Sequence, residues 1–291
     1  MNNLKAGLIG FLPMGAPMDE VFARLKNYAE IGYKGVEMGD MFLRSGDPDE
    51  NLARLRDLGM EPLSTSLPMG GAPDVSDVPE INQKAHKLGV HRAACMGSAM
   101  RLHVIGMRVQ ELFPSYDESM KELEGLEAVA KELAKEGIDV SFHNHETEFL
   151  TFYNGEAWFD LMVKNSEYLK FELDAGWALY GHRNPVKVMD MLGDRLCAIH
   201  IKDYMEGNVP RKSRPLPGMD TEKRYQFSTP MNFPNICAPG AGKLPTYDIL
   251  EKAVAMGLDY AIIEQDFQKI LTQEESVLLA YLLMKETGFV E

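Results

Sequence analysis

Along the whole chain, short apolar runs of strand length alternate with longer segments of helical period. Strands separated in this way by helices cannot pair through tight hairpins, so they form βαβ units whose parallel sheet the helices cover. The first strand is read at Ala6–Phe11 and its helix at Met18–Ile31, where Val21, Leu25, Tyr28 and Ala29 fall on one face before Gly32 stops the helix. Later strands are read at Gly35–Met38, Pro62–Leu67, Val90–Met96, Asp139–Asn144, Leu169–Leu173, Leu196–Ile201 and Tyr260–Glu264. The helices between and after them are read at Asp47–Leu58, Val78–Leu88, Ser115–Glu136, Glu156–Val163, Pro185–Leu192, from Thr246 onward, and at Gln273–Thr287.

Eight such units predict an α/β fold, a single (β/α)8 TIM barrel over residues 1–291. A long loop at about 203–245, rich in Pro, Gly and charge, is expected to pass over the C-terminal mouth. The connection Ser98–Pro114 is a second long excursion, with room for a short helix. A doubly wound nucleotide-binding sheet is the rival topology, but Gly10-Phe-Leu-Pro-Met-Gly15 lacks the middle glycine of a phosphate turn and carries a proline.

Charge narrows the partners. Thirty Lys and Arg against 44 Asp and Glu give a formal charge of −14, which repels nucleic acid and anionic membrane. No run approaches the roughly 18 apolar residues of a membrane span, and the first residues do not read as an export signal. Cys95, Cys197 and Cys237 lie far apart, so neither a disulfide framework nor a structural zinc site is indicated, and a cytoplasmic location is expected. A homo-oligomer is left open.

Chemistry concentrates at the strand ends. Residues two apart in a strand share a face, and four consecutive strands end in polar pairs: His143-Asn144-His145, Glu172-Leu173-Asp174, His200-Ile201-Lys202-Asp203 and Glu264-Gln265-Asp266. In a barrel all these ends open on one mouth, where imidazoles and carboxylates can converge on one divalent cation: Mn, Co, Mg, Fe or Zn. Lys202 shares the face of His200 and is a candidate for a sugar hydroxyl or substrate anion, and Trp177 for an apolar wall against a sugar ring. Glu37 and His182 are further substrate-binding candidates. The basic residues Arg211, Lys212, Arg214, Lys223 and Arg224 are expected in a solvated loop, and His103 on the surface.

These motifs, in this order, resemble the sugar phosphate isomerase and epimerase family of xylose-isomerase-like TIM barrels. The carriers are Ile31-Gly-Tyr-Lys-Gly-Val-Glu37, Phe142-His-Asn-His-Glu-Thr-Glu-Phe149, Phe171-Glu-Leu-Asp-Ala-Gly-Trp177, Ala198-Ile-His-Ile-Lys-Asp203, Pro239-Gly-Ala-Gly242 and Ile263-Glu-Gln-Asp266. The resemblance implies one divalent metal held by Asp174, His200 and Glu264, with a fourth ligand on the fifth strand. There the family's Glu-Asn-His reads His143-Asn144-His145, so either His143 or one of Glu146 and Glu148 takes that place.

The resemblance further implies an isomerase or epimerase of carbohydrate metabolism, acting on a sugar, sugar phosphate or related polyhydroxy carbonyl compound. Proton abstraction α to the carbonyl would give a metal-stabilised enediolate, with Glu264 as ligand and base and His145 as second acid/base or substrate contact. The missing fifth-strand glutamate leaves a dehydratase of the inosose dehydratase kind as the alternative. A non-catalytic sugar-binding barrel and an endonuclease-IV-like nuclease stand further off, the latter disfavoured by the charge.

Overall fold

A computed structural model describes residues 3–13, 15–68, 73–96, 114–205, 235–265 and 271–291. Eight parallel strands form the barrel wall: β1 (Lys5–Ile9), β2 (Gly35–Val36), β3, β4 (Arg92–Cys95), β5 (Asp139–His143), β6 (Lys170–Asp174), β7 (Leu196–Ile201) and β8 (Tyr260–Glu264). β3 consists of two short pieces, Glu61–Pro62 against β2 and Thr65–Ser66 against β4. The hydrogen-bonded order runs from the first piece through β2, β1, β8, β7, β6, β5 and β4 to the second. The two sheet edges are therefore consecutive stretches of one strand, and the wall is nearly closed, as expected.

Among the described residues, the longer helices that follow the strands are α1 (Met18–Ile31), α2 (Pro48–Asp57), α3 (Val78–Leu88), α4 (Tyr116–Ala134), α5 (Trp158–Lys164), α6 (Pro185–Leu192), α7 (Thr246–Ala255) and α8 (Gln273–Glu286). Their ends follow local chemistry. Asp47 caps α2 by accepting from Asp49 N at 2.9 Å, with Pro48 in the first turn, and Ser115–Glu118 and Thr272–Glu275 close capping boxes on α4 and α8. Gly89 ends α3 in the left-handed region.

Outward-facing strand residues such as Leu8, Val36, Val140, Phe142, Phe171, Leu173, Ile199 and Ile263 pack with the helices into the main core. The barrel interior is filled by Ile9, Ala94, Ala198 and Ile262, with Leu63 and Tyr260 against them. Leu63 projects where Gly7 and Gly35 lack side chains: a Cβ at these positions would lie 2.9 and 2.5 Å from its methyls.

The fifth helix departs from expectation, beginning at Trp158 rather than Glu156. Asn154 and Gly155 both adopt positive φ, and the resulting tight turn pairs Phe152–Tyr153 with Glu156–Ala157 as a hairpin. One-turn helices after β2 (Gly39–Phe42), β5 (Glu146–Leu150) and β6 (Ala175–Tyr180) were also not anticipated. Most of the connection Ser98–Pro114, with His103, and the loop basic residues Arg211, Lys212, Arg214, Lys223 and Arg224 lie outside the described residues. Of the 203–245 loop, its two ends are described: Asp203–Met205 pairs antiparallel with Asn235–Cys237.

Candidate metal centre

Strand register carries the polar ends toward one point. His143 on β5 is level with Glu172 on β6, Asp174 two residues further is level with His200 on β7, and His200 is level with Ile262 on β8, two residues before Glu264. Two-residue steps keep the face, so the stagger of the barrel brings His143, Asp174, His200 and Glu264 together inside the mouth. Each offers a ligand atom, and these atoms all lie within 4.8 Å of one another. His143 Nε2 is 3.7 Å from Glu264 Oε2 and 3.9 Å from Asp174 Oδ2, and His200 Nδ1 is 2.9 Å from Glu264 Oε2. Neither Glu146 nor Glu148 belongs to this group.

Local structure holds these groups. Asn144 Nδ2 donates to the Asp174 carbonyl at 3.1 Å while its Oδ1 accepts from Asp174 N at 3.0 Å, so the residue between the two histidines staples the ends of β5 and β6. Asp174 Oδ1 caps the following one-turn helix by accepting from Trp177 N at 2.7 Å, leaving Oδ2 to the cluster. Gly176 permits this close turn, since a Cβ there would meet the Lys202 carbonyl at 2.2 Å.

Both nitrogens of His143 are buried without a hydrogen-bond partner among the described residues. Such atoms are costly unless something polar meets them, and a set of two imidazoles and two carboxylates suits a divalent cation. The residues present therefore fit a metal ion.

A second polar layer lies beneath. Arg92, at the start of β4, ion-pairs with Glu37 beyond the end of β2 and with Glu172 on β6. Glu37 Oε2 meets His200 Nε2 at 2.5 Å, and Glu172 Oε1 lies 3.0 Å from the same nitrogen and 3.3 Å from His143 Nδ1. Arg92 gave no signal in a reading centred on the C-terminal ends of strands; it enters from the opposite end through the barrel interior.

The electrostatics follow from burial and pairing. Burial resists charge on Glu37, but Arg92 and His200 bring its carboxyl down to about 2. Burial likewise opposes a charged His200, yet the Glu37 and Glu264 carboxylates push it up to about 9. His143 is held neutral, well below its ordinary value, by burial and by the His200 charge. Burial pushes Asp174 up to about 7 against the pull of Lys202, whereas Glu264, despite its burial, is held well below the carboxylate range by Lys202 and His200.

Lys202 reaches into the cluster, its Nζ 3.2 Å from both Asp174 Oδ2 and Glu264 Oε1 and 4.7 Å from the Trp177 ring centroid. His145 stands beside His143, ring centroids 4.8 Å apart, and 6.1 Å from the Trp177 ring. Glu37 sits fully buried below the cluster, engaged by Arg92 and His200. His182 is not brought to this group: it is exposed, in a left-handed turn after the 175–180 helix.

Asp203 faces away from His200 and Lys202. Its carboxylate accepts from Tyr204 N and Leu244 N at 2.8 Å, Gly242 N at 2.7 Å and Gly240 N at 3.1 Å, so it clamps the returning end of the long loop. The Pro239-Gly-Ala-Gly242 stretch fits for steric reasons, because a Cβ on Gly242 would lie 2.4 Å from Asp203 Oδ1.

Comparison with known proteins agrees with this architecture. The family model described as xylose isomerase-like TIM barrel matches residues 25–236. Inosose dehydratase of Geobacillus kaustophilus (strain HTA426) is 26% identical over 262 residues, covering 83% of this chain and 79% of that protein. A sugar phosphate isomerase/epimerase from Parabacteroides distasonis ATCC 8503 superposes with a TM-score of 0.68 at 20% identity, over 100% of this chain and 96% of that one. A xylose isomerase-like TIM barrel protein from Mycobacterium smegmatis, solved in complex with magnesium, gives 0.60 at 13% identity over 98% and 97% of the two chains. With a family model spanning most of its length and the barrel to match, the chain belongs to the xylose isomerase-like TIM barrel family.

Proposed function

We propose that this protein is a divalent-metal-dependent isomerase or epimerase acting on a sugar or a related polyhydroxy carbonyl compound. The observation that carries this reading is the buried convergence of His143, Asp174, His200 and Glu264, with neither His143 nitrogen making a hydrogen bond among the described residues and Asp174 Oδ2 facing the Lys202 ammonium at 3.2 Å. When bound, a divalent cation supplies Lewis acidity that polarises a substrate carbonyl and its neighbouring hydroxyl and so acidifies the intervening C–H.

The protein's own groups do the rest. Glu264, kept ionised by Lys202 and His200, offers a carboxylate as ligand and as acceptor for the proton α to the carbonyl. His145, at the edge of the cluster, is the second proton-transfer group; Trp177 gives an apolar wall and Lys202 a charge-assisted donor for a substrate oxygen. Proton return on the other face gives an epimer, and on the neighbouring carbon an isomer.

A second reading, loss of a β-hydroxyl by a lyase, is favoured by one specific feature. An imidazole stands on β5 in the cluster where an epimerase of this family is expected to carry a carboxylate, and one relative is named inosose dehydratase. Incubating the metal-loaded protein in D2O with a panel of ketoses, their phosphates and inososes decides. Metal-dependent deuterium uptake with carbon skeleton and oxygen count retained supports isomerase or epimerase; loss of water supports the lyase; neither, together with no bound metal, removes the enzymatic reading.

A further inference from the structure

The layer beneath the cluster has its own logic. Arg92 donates to Glu37 Oε1 and to Glu172 Oε2, and the latter oxygen also accepts from Ser141 Oγ at 3.2 Å. A guanidinium has donors only, so it fixes which oxygen of each carboxylate it occupies. The remaining oxygens point up at the imidazoles: Glu37 Oε2 at His200 Nε2, and Glu172 Oε1 between His200 Nε2 and His143 Nδ1. The opposite nitrogens, His200 Nδ1 and His143 Nε2, face Glu264 Oε2.

From this arrangement we propose that Arg92, Glu37 and Glu172 are positioning residues that make His200 present Nδ1 to a divalent cation. The inference rests on the metal-dependent reading above and names the groups that set the ligand atoms. A carboxylate anchored by Arg92 below a ring nitrogen keeps a proton there, whereas Glu264, on the opposite side, would share the cation with the nitrogen that faces it. Arg92 meanwhile compensates two buried carboxylates, whose unpaired burial would be costly.

Glu37→Gln tests the mechanism sharply. Arg92 still requires an acceptor, so the amide oxygen faces it and the amide NH2 turns to His200. Nε2 then loses its nearest acceptor and meets a donor instead, which shifts the proton toward Nδ1 and weakens the ligand lone pair against the remaining pull of Glu172.

The experiment uses the full chain labelled with 15N-histidine and loaded with Zn2+, with long-range 1H–15N spectra read for His200 and His143. His200→Gln and His143→Gln serve only to assign the signals. The expected result is His200 zinc-bound at Nδ1 and protonated at Nε2; a His200 bound through Nε2 overturns the inference. In zinc titrations Glu37→Gln, with its far-UV circular dichroism unchanged, is expected to bind about 10- to 100-fold more weakly than wild type; equal affinity overturns it. A wild type that takes up no stoichiometric zinc removes the metal-dependent reading along with this inference, whereas zinc uptake through His200 Nε2 removes this inference alone.

Discussion

The two oxygens of Asp174 have different surroundings, which allows the metal role proposed for it to be separated from its structural one. Asn caps helices about as well as Asp, so Asp174→Asn should retain the bond from Trp177 N, but its amide NH2 then faces the buried Lys202 ammonium and stability should fall by about 1–3 kcal/mol. The same change removes an anionic ligand, and divalent metal affinity should fall by at least about 100-fold, read by calorimetric titration with Mn2+. Protonation competes with the metal at these side chains. Asp174 is pushed up to about 7 by burial, and His200 up to about 9 against its burial by Glu37 and Glu264, so both carry protons at pH 6 that a cation must displace. Metal affinity should therefore rise from pH 6 to pH 8 with protons released on binding, seen as a calorimetric heat that depends on the buffer's ionisation enthalpy; a flat profile would contradict these protonation states. Residue-level chemistry was partly legible in the sequence. The i, i+2 alternation placed His200 and Lys202 on one face, but nothing in the chain announced Asp203 as an acceptor for four backbone N–H groups or Asn144 as a staple.

Elements were more legible than their junctions. Long periodic helices such as Met18–Ile31 and Val78–Leu88 coincide with their predicted bounds, because many side chains vote for one face. The Asn154-Gly155 hairpin was overlooked although its dipeptide is a strong turn signal; the run after it reads equally well as the start of a helix. One-turn helices after β5 and β6 have too few residues to show a period. Two element-level contacts can be tested. Gly35 lets Leu63 fill the floor between β2 and β3, so Gly35→Ala should cost about 1–3 kcal/mol by overpacking, and adding Leu63→Ala should recover part of that loss in urea unfolding. Asp203 clamps the return of the long loop, and Asp203→Ala leaves the N–H groups of Tyr204, Gly240, Gly242 and Leu244 without their acceptor. A loss of about 2–3 kcal/mol follows, a melting temperature lower by roughly 5–10 °C in calorimetry.

At the scale of the whole molecule, strand alternation dictated the barrel, and the barrel dictated that polar strand ends would meet. The sequence could not show the interior charge layer, because Arg92 opens its strand and reaches Glu37 and Glu172 only through the stagger of a closed sheet. A cation binding across β5, β6, β7 and β8 ties half the barrel wall together. Saturating metal at about 100 times its dissociation constant should therefore stabilise the fold by about 2.7 kcal/mol and raise the melting temperature by several degrees, reversed by a chelator. The net charge of −14 disfavours polyanions, so the same thermal assay with duplex DNA in place of metal should show no shift. The most direct test is an anomalous difference map from crystals grown with Mn2+. One peak per chain, within about 2.0–2.3 Å of ligand atoms from His143, Asp174, His200 and Glu264, is expected; no peak there, or a peak contacting fewer than three of these side chains, would contradict the metal centre on which the proposed chemistry depends.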